Sequence, residues 1–412
     1  MTDILRTYAE QYVKLVLKMG QIDPDFVDAF HGDPAWQKEA EQERPRITLN
    51  NLIMLSEELI GGLKAMNISM LTPVQEKRRR FLLKQLRACR ARLDFLNGHP
   101  LSFDEESLHW FDAMAPSYGV EHFRNLLAKL DAVLSGSGEV SQRLNDYRNQ
   151  FIIPKEHLDR VFKAAIAEGR ARTLQYLSLP EEERFSIEYV TNKPWSGYNW
   201  YQGGACSRIQ LNTDLPIYID RAVDLACHEG YPGHHVYNAL IEWRLVRENG
   251  FVEFSVFPLF SPMSLLAEGT ANMGIEIAFP AAERIQFERE VLFPLSGLDP
   301  ASAEEYYHIH NLTLELAYAG NEAARNYLDH RITREEAVEW LVRFGLYSRE
   351  RAEQRTRFFD KYRSYVINYN LGQDLVRKYL ERRGGTPENP SKRWAVFQEL
   401  LTTPLTPSDL KN

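Results

Sequence analysis

Apolar residues recur at three- and four-residue intervals through most of this chain, and that period predicts amphipathic helices. The pattern covers residues 2–19, 48–66, 73–96, 105–114, 120–134 and 154–177 in the first half, and 301–328, 335–344, 349–366 and 371–382 in the second. Breaks fall at Gly98-His99-Pro100, at Ser135-Gly136-Ser137-Gly138 and at Leu179-Pro180, and none is long enough for a flexible linker. The period changes to two at 186–191 and again at 207–212, which predicts strands of a small sheet. Between them, 195–204 is aromatic and glycine-rich and reads as a loop that covers a cleft or packs on the surface. The expected architecture is mostly α, with an N-terminal helical region over 1–180 closing on a second region over 181–412.

Composition changes this picture little. Of 412 residues, 44% are hydrophobic, enough for a large core, and the net charge of −8 argues against nucleic acid as a partner. The basic run over 75–92 reads as a solvated helix face. Cys89, Cys206 and Cys227 are odd in number and lack metal-ligand spacing, which points to a reducing compartment. Cys227 reads as a buried small hydrophobe. The first ten residues lack the basic-then-apolar pattern of a signal peptide, and no apolar stretch reaches about 18 residues. The expected location is cytoplasmic, or secreted if a leader has been removed, with no membrane span.

The candidate chemistry lies in His228-Glu229-Gly230-Tyr231-Pro232-Gly233-His234-His235, which holds three of the chain's 11 histidines. Zinc takes imidazole and carboxylate ligands, and a hydrolytic zinc site also needs a carboxylate to deprotonate water. The familiar arrangement is His-Glu-x-x-His on one helix face, but here proline occupies the position of the second histidine. In a straight helix His235 returns to the face of His228, but about 10 Å along the axis, and His234 lies on the wrong face. Pro232 cannot donate to the preceding turn and Gly233 tolerates unusual angles, so a bulge there would turn His234 onto the ion. His234 is therefore the preferred second ligand, with His235 as the alternative, as a support behind the ligands or as a substrate contact. Ser261 and Pro262 start a further predicted helix, in which Glu268 lies among Leu265, Leu266, Ala267 and Ala271. A carboxylate in that setting needs a partner, which makes Glu268 the third candidate ligand and Asn272 a candidate support. Glu229 is the candidate base. Tyr369 on a late helix, together with His235, is the candidate oxyanion donor; Arg363 and Tyr365 lie nearby in sequence. His308 and His310 diverge on a helix, so no second metal site is expected there.

The His-Glu-x-x-Pro-Gly-His-His motif followed by Ala267-Glu268-Gly269 resembles a bacterial family catalogued as a domain of unknown function, many of whose members are described as lipoproteins. That family is placed among zincin-like metallopeptidases with a glutamate third ligand. The resemblance runs from about Arg208 to the end and includes Asn212 and Tyr369-Asn370-Leu371-Gly372. It departs at Thr270, where the family has tryptophan, and at Arg325 and Asp329-His330, where a glycine of the family's late motif is missing. The resemblance implies a zincin-like fold, a Zn2+ ion and a hydrolase acting on peptides or on small amides or esters. The alternatives are a degenerate zincin that binds metal or peptide without catalysis, and a non-enzymatic helical scaffold.

Overall fold

Local sequence sets several helix starts directly. The helix Pro73–Leu96 begins at Thr72, whose hydroxyl accepts from the Gln75 N–H while the Gln75 side chain accepts from the Thr72 N–H, and Pro73 fills the first turn. Ser102 and Thr333 build the same reciprocal cap for Phe103–Phe111 and Arg334–Gly345. The computed structural model describes residues 4–193 and 195–411, and helices dominate it. The first helix spans Arg6–Gly20, and the Thr2 expected to start it lies outside the described residues. The expected helix over 301–328 is interrupted by a tighter turn at Glu315–Tyr318, giving Ala303–Leu314 and Ala319–Leu328. Among the described residues, no helix is long and apolar enough to cross a membrane.

The N-terminal region is not wholly helical. A short strand, β1 (Val27–Phe30), pairs antiparallel with β5 (Val256–Pro258) of the second region. The main sheet has three strands, β2 (Arg184–Val190), β3 (Gly197–Tyr201) and β4 (Cys206–Asn212), in the order β2-β4-β3. The aromatic stretch expected to be a loop is thus largely strand β3, which runs antiparallel to β4, while β2 runs parallel to it. Alternation was hard to see in β3 because tyrosine and tryptophan occupy both of its faces, and glycines follow it.

One hydrophobic core draws on residues from Leu5 to Leu410, including Phe81, Trp110, Phe162, Leu265 and Tyr379. The basic helix Pro73–Leu96 turns several arginines into this core rather than into water. Arg78 forms a two-pronged pair with Glu253 at 2.6 and 2.9 Å, Arg92 meets Asp23 at 2.7 Å, and Arg79 reaches Glu76 and the Leu63 carbonyl. The expectation of a solvated face fails at these positions because each guanidinium has a buried partner ready.

Two helices cross at the centre of the second region. Pro262–Ala278 and Ile367–Arg382 approach through Gly269 and Gly372. A Cβ on Gly269 would lie 2.5 Å from the Gly372 carbonyl, and one on Gly372 would lie 2.8 Å from the Leu265 oxygen. The glycines of the Ala-Glu-Gly and Tyr-x-x-Gly motifs therefore serve backbone contact, which sets the distance between Glu268 on one helix and Tyr369 on the other. Gly372→Ala is expected to lower unfolding free energy by about 3 kcal/mol, at the upper end of overpacking costs because backbone is what must move. Denaturant titration of the two proteins checks this.

Candidate metal centre

The motif segment is a broken helix. Asp220–Leu225 is α-helical, Ala226–Gly230 widens into a π-helical turn, and a cis Tyr231-Pro232 bond and Gly233 follow. A new helix starts at His234. Wide turns of this kind recur at functional sites. Gly233 is required where it stands, since a Cβ would lie 2.0 Å from the His228 oxygen. The expected bulge within a continuous helix is therefore a full break, and its effect is to put His228 and His234 side by side. Their rings lie 4.7 Å apart between centroids, almost perpendicular.

Glu268 completes the group. Its Oε2 lies 3.4 Å from His228 Nε2 and 3.8 Å from His234 Nε2, and one potential ligand atom from each of the three lies within 4.8 Å of the others. That Oε2 is buried and has no hydrogen-bond partner. An orphaned carboxylate oxygen facing two imidazole nitrogens is the donor set a zinc ion takes. Supporting contacts fix His228 and Glu268. His228 Nδ1 meets Asn272 Oδ1 at 2.9 Å, and Asn272 donates to the Tyr369 carbonyl at 2.9 Å. Tyr365 donates to Glu268 Oε1 at 2.9 Å. The four-residue turn Arg363–Val366 that holds Tyr365 is itself pinned by buried Glu106, which accepts from Ser364 N–H, from its hydroxyl and from Arg363. Arg363 is thus spent on structure.

Proton affinities follow from this packing. Burial opposes charge on His228, yet the contact with Glu268 and the nearby Glu229 raise it to about 9. Burial, and then His228, lower His234 to about 4. Burial pushes Glu229 up to about 7, against the pull of His228 and with the push of Glu268. Asp28 on β1 joins the same cleft. Burial lifts it to about 6 although the Tyr198 hydroxyl donates to it. The sequence offered no signal for Asp28, because a four-residue strand inside a helical region has no period to read. Tyr369 lines the cleft, and its hydroxyl makes no hydrogen bond among the described residues.

His235 is not in this group. It is fully buried, with Nδ1 2.8 Å from the Ser207 hydroxyl and Nε2 2.9 Å from Glu183. Glu183 also accepts from Tyr231 and from Arg170. Serine, histidine and carboxylate in a row suggest a nucleophile relay, but Ser207 is 1% exposed, so substrate cannot reach it. The row locks the Pro-Gly break onto β2 and β4, and the expected roles for His235 as oxyanion donor or substrate contact do not fit this placement. Asn212 is likewise structural, donating to the Lys193 and Trp195 carbonyls. So are Arg325, bound to Glu322 and Asp104, and Asp329, which accepts from the Phe103 N–H. Cys227 is buried as expected. Asp220, Asp224 and His310 also converge, but Arg284 pairs with Asp224 at 2.9 Å, Arg148 approaches Asp220 at 3.7 Å and Tyr306 donates to Asp220. Their charge is already balanced, so they brace the start of the motif helix.

No protein-family model and no curated protein sequence matches this chain. Solved structures do. One is the M32 carboxypeptidase of Deinococcus radiodurans R1, at 12% identity and a TM-score of 0.50 over 98% of this chain and 92% of that one. The fold is mostly helical and zincin-like. Another is the "putative lipoprotein" of Colwellia psychrerythraea, at 14% identity and a TM-score of 0.56 over 87% of this chain, which spans 65% of that protein's length.

The geometry separates the two neighbouring histidines by experiment. His234→Ala is expected to lose zinc, measured by equilibrium dialysis, whereas His235→Ala keeps it and loses about 3 kcal/mol of stability, the cost of a cavity and of the buried hydrogen bonds to Ser207 and Glu183. Acid adds a second expectation. Burial works against the Glu183 charge, but hydrogen bonds from His235, Tyr231 and Arg170 hold it down at about 2, below the ordinary 4.5. Its contribution is complete above that ordinary value and is lost as pH falls from about 4.5 to about 2. Stability measured across that window should fall less steeply in Glu183→Gln than in the wild type.

Proposed function

We propose that this protein is a zinc-dependent hydrolase and that it acts as a metallopeptidase. The observation that carries this reading is the unpartnered Glu268 Oε2 facing His228 and His234, with Glu229 one residue from His228 and a free Tyr369 hydroxyl across the cleft. His228, His234 and Glu268 would hold the ion. When bound, zinc supplies a Lewis acid for the scissile carbonyl and makes water acidic enough to attack near neutral pH.

The protein's own groups do the rest. Glu229 takes the proton of the attacking water and hands it to the leaving amine. Tyr369 donates its hydroxyl to the oxygen on which negative charge develops. Tyr365 and Asn272 keep Glu268 and His228 in place, so little reorganisation is needed as charge shifts.

Strand β3 favours a peptide over a compact substrate. It is an edge strand, and a Cβ on its Gly197 would lie 3.0 Å from Glu229 Oε1. An extended peptide that adds to this edge would run its backbone past the base. The fold is also that of a carboxypeptidase structure.

The reading is tested by metal analysis and turnover together. The wild type should carry about one zinc per chain, and a His228→Ala, Glu268→Ala double variant should carry none. Glu229→Gln should keep the zinc and lose hydrolysis of fluorogenic peptides by at least about a hundredfold, the usual worth of a general base. Turnover near the wild-type level in that variant would remove Glu229 from the mechanism.

A further inference from the structure

The helix Arg349–Tyr362 carries two arginines one turn apart, Arg351 and Arg355, so both lie on the same side of it. Both are half-buried, and their surroundings differ from those of the paired arginines of the core. Arg78, Arg92, Arg284 and Arg325 each have a carboxylate within 3 Å. Among the described residues, neither the Arg351 nor the Arg355 guanidinium makes an ion pair or a hydrogen bond. The Arg355 Nε is buried and unpartnered.

Arg355 faces the reaction cleft through Tyr369. The Arg355 guanidinium lies over the rings of Phe358, Phe359 and Tyr369, at 4.4, 5.7 and 5.6 Å from their centres. Glu268, Arg355 and Glu229 all act on the Tyr369 hydroxyl. Arg351 sits one turn back. Burial, followed by repulsion from Arg221 and Arg148, draws it below the usual guanidinium range. Arg221 in turn acts on Glu229. Arg221 and Arg148 already have acids, Asp224 at 3.2 Å and Asp220 at 3.7 Å. The charge left over in this corner therefore belongs to Arg351 and Arg355.

Stacking on aromatic rings orients a guanidinium but leaves its N–H groups unused. Part-buried, unpaired cations beside one another are costly unless an anion joins them. A guanidinium presents a planar fork that matches a carboxylate. We propose that Arg351 and Arg355 form a carboxylate-binding subsite of the cleft, which holds an anionic group of the substrate beyond the Tyr369 end of the reaction centre. The proposal rests on the metallopeptidase reading for the kind of substrate. A peptide's own C-terminus and an acidic side chain offer the same chemistry, and the experiment separates them.

Binding is measured on Glu229→Gln protein loaded with zinc, so that it is read without turnover. The probes are a fluorescein-labelled alanine tetrapeptide with a free C-terminus, the same peptide as its C-terminal amide, and that amide carrying one internal glutamate. Fluorescence anisotropy should show the free acid binding at least about tenfold more tightly than the plain amide, the worth of one charged hydrogen-bonded contact. Tight binding of the glutamate peptide as well would assign the site to any nearby carboxylate, and weak binding would assign it to the C-terminus alone. Adding Arg355→Gln or Arg351→Gln should erase the difference between acid and amide while leaving amide binding and zinc content as they were. Equal binding of all three probes, or variants that weaken acid and amide alike, would overturn the proposal. A preference for the acid in a wild-type protein that hydrolyses none of the peptides would keep the subsite and reject the hydrolase.

Discussion

Glu268 sets the terms for the structure around it. Its carboxylate lies inside a helix whose neighbours are apolar, and a bare charge there would be expensive. Each surrounding feature lowers that expense from one side. Tyr365 satisfies one oxygen, and His228 and His234 face the other. These contacts need close approach of the two central helices, which the Gly269 and Gly372 contact allows. They also need a histidine beyond the end of the first motif turn, which the break at Pro232 and Gly233 supplies. Gly274, one turn beyond Thr270 on the glutamate helix, lets Pro232 pack against that helix, since a Cβ there would lie 3.1 Å from the proline ring. The break and the carboxylate are thus one arrangement, fitted through small residues.

Around this centre the protein holds its buried charges in pairs. Arg78 with Glu253 and Arg92 with Asp23 link the N-terminal helices to each other and to the segment before β5. Glu106 with Arg363 and Ser364 anchors the turn that carries Tyr365. Such pairs add little net stability over well-packed apolar groups, but losing one partner is severe, because the other is left buried and unpaired. They are therefore better understood as fixing which packing is adopted. The first region contributes more than cover, since β1 brings Asp28 and the Phe103–Phe111 helix brings Glu106 to the site from far away in the chain.

Much of this was legible in the chain. Helical periods located most of the long helices to within a few residues, because a solvated face and a buried face alternate clearly there. Ligand chemistry singled out His228, His234 and Glu268 as candidates, and the structure brings them within reach of one another. Other features had no local signature. Asp28 acquires its place by pairing across more than two hundred residues, and Glu183 is an ordinary surface-like glutamate until His235, Tyr231 and Arg170 surround it. The arginines of Pro73–Leu96 read as solvated for the same reason. A charge is judged exposed unless its partner is known, and Glu253 is 175 residues from Arg78.

His234 and His235 show how far geometry from sequence alone reaches. Counting rotation in a straight helix favours His235, since seven residues bring it back to the face of His228. The deciding fact is that no straight helix exists. Once the chain breaks at Pro232, the new helix begins at His234, and its first residues point wherever the break aims them. At His234 that is towards Glu268. The next residue then points about 100° away, into the sheet, where Ser207 and Glu183 hold it. A histidine doublet at such a break divides its labour by rotation alone. One ring faces the cleft and Glu268, and the other is spent on holding the break rigid.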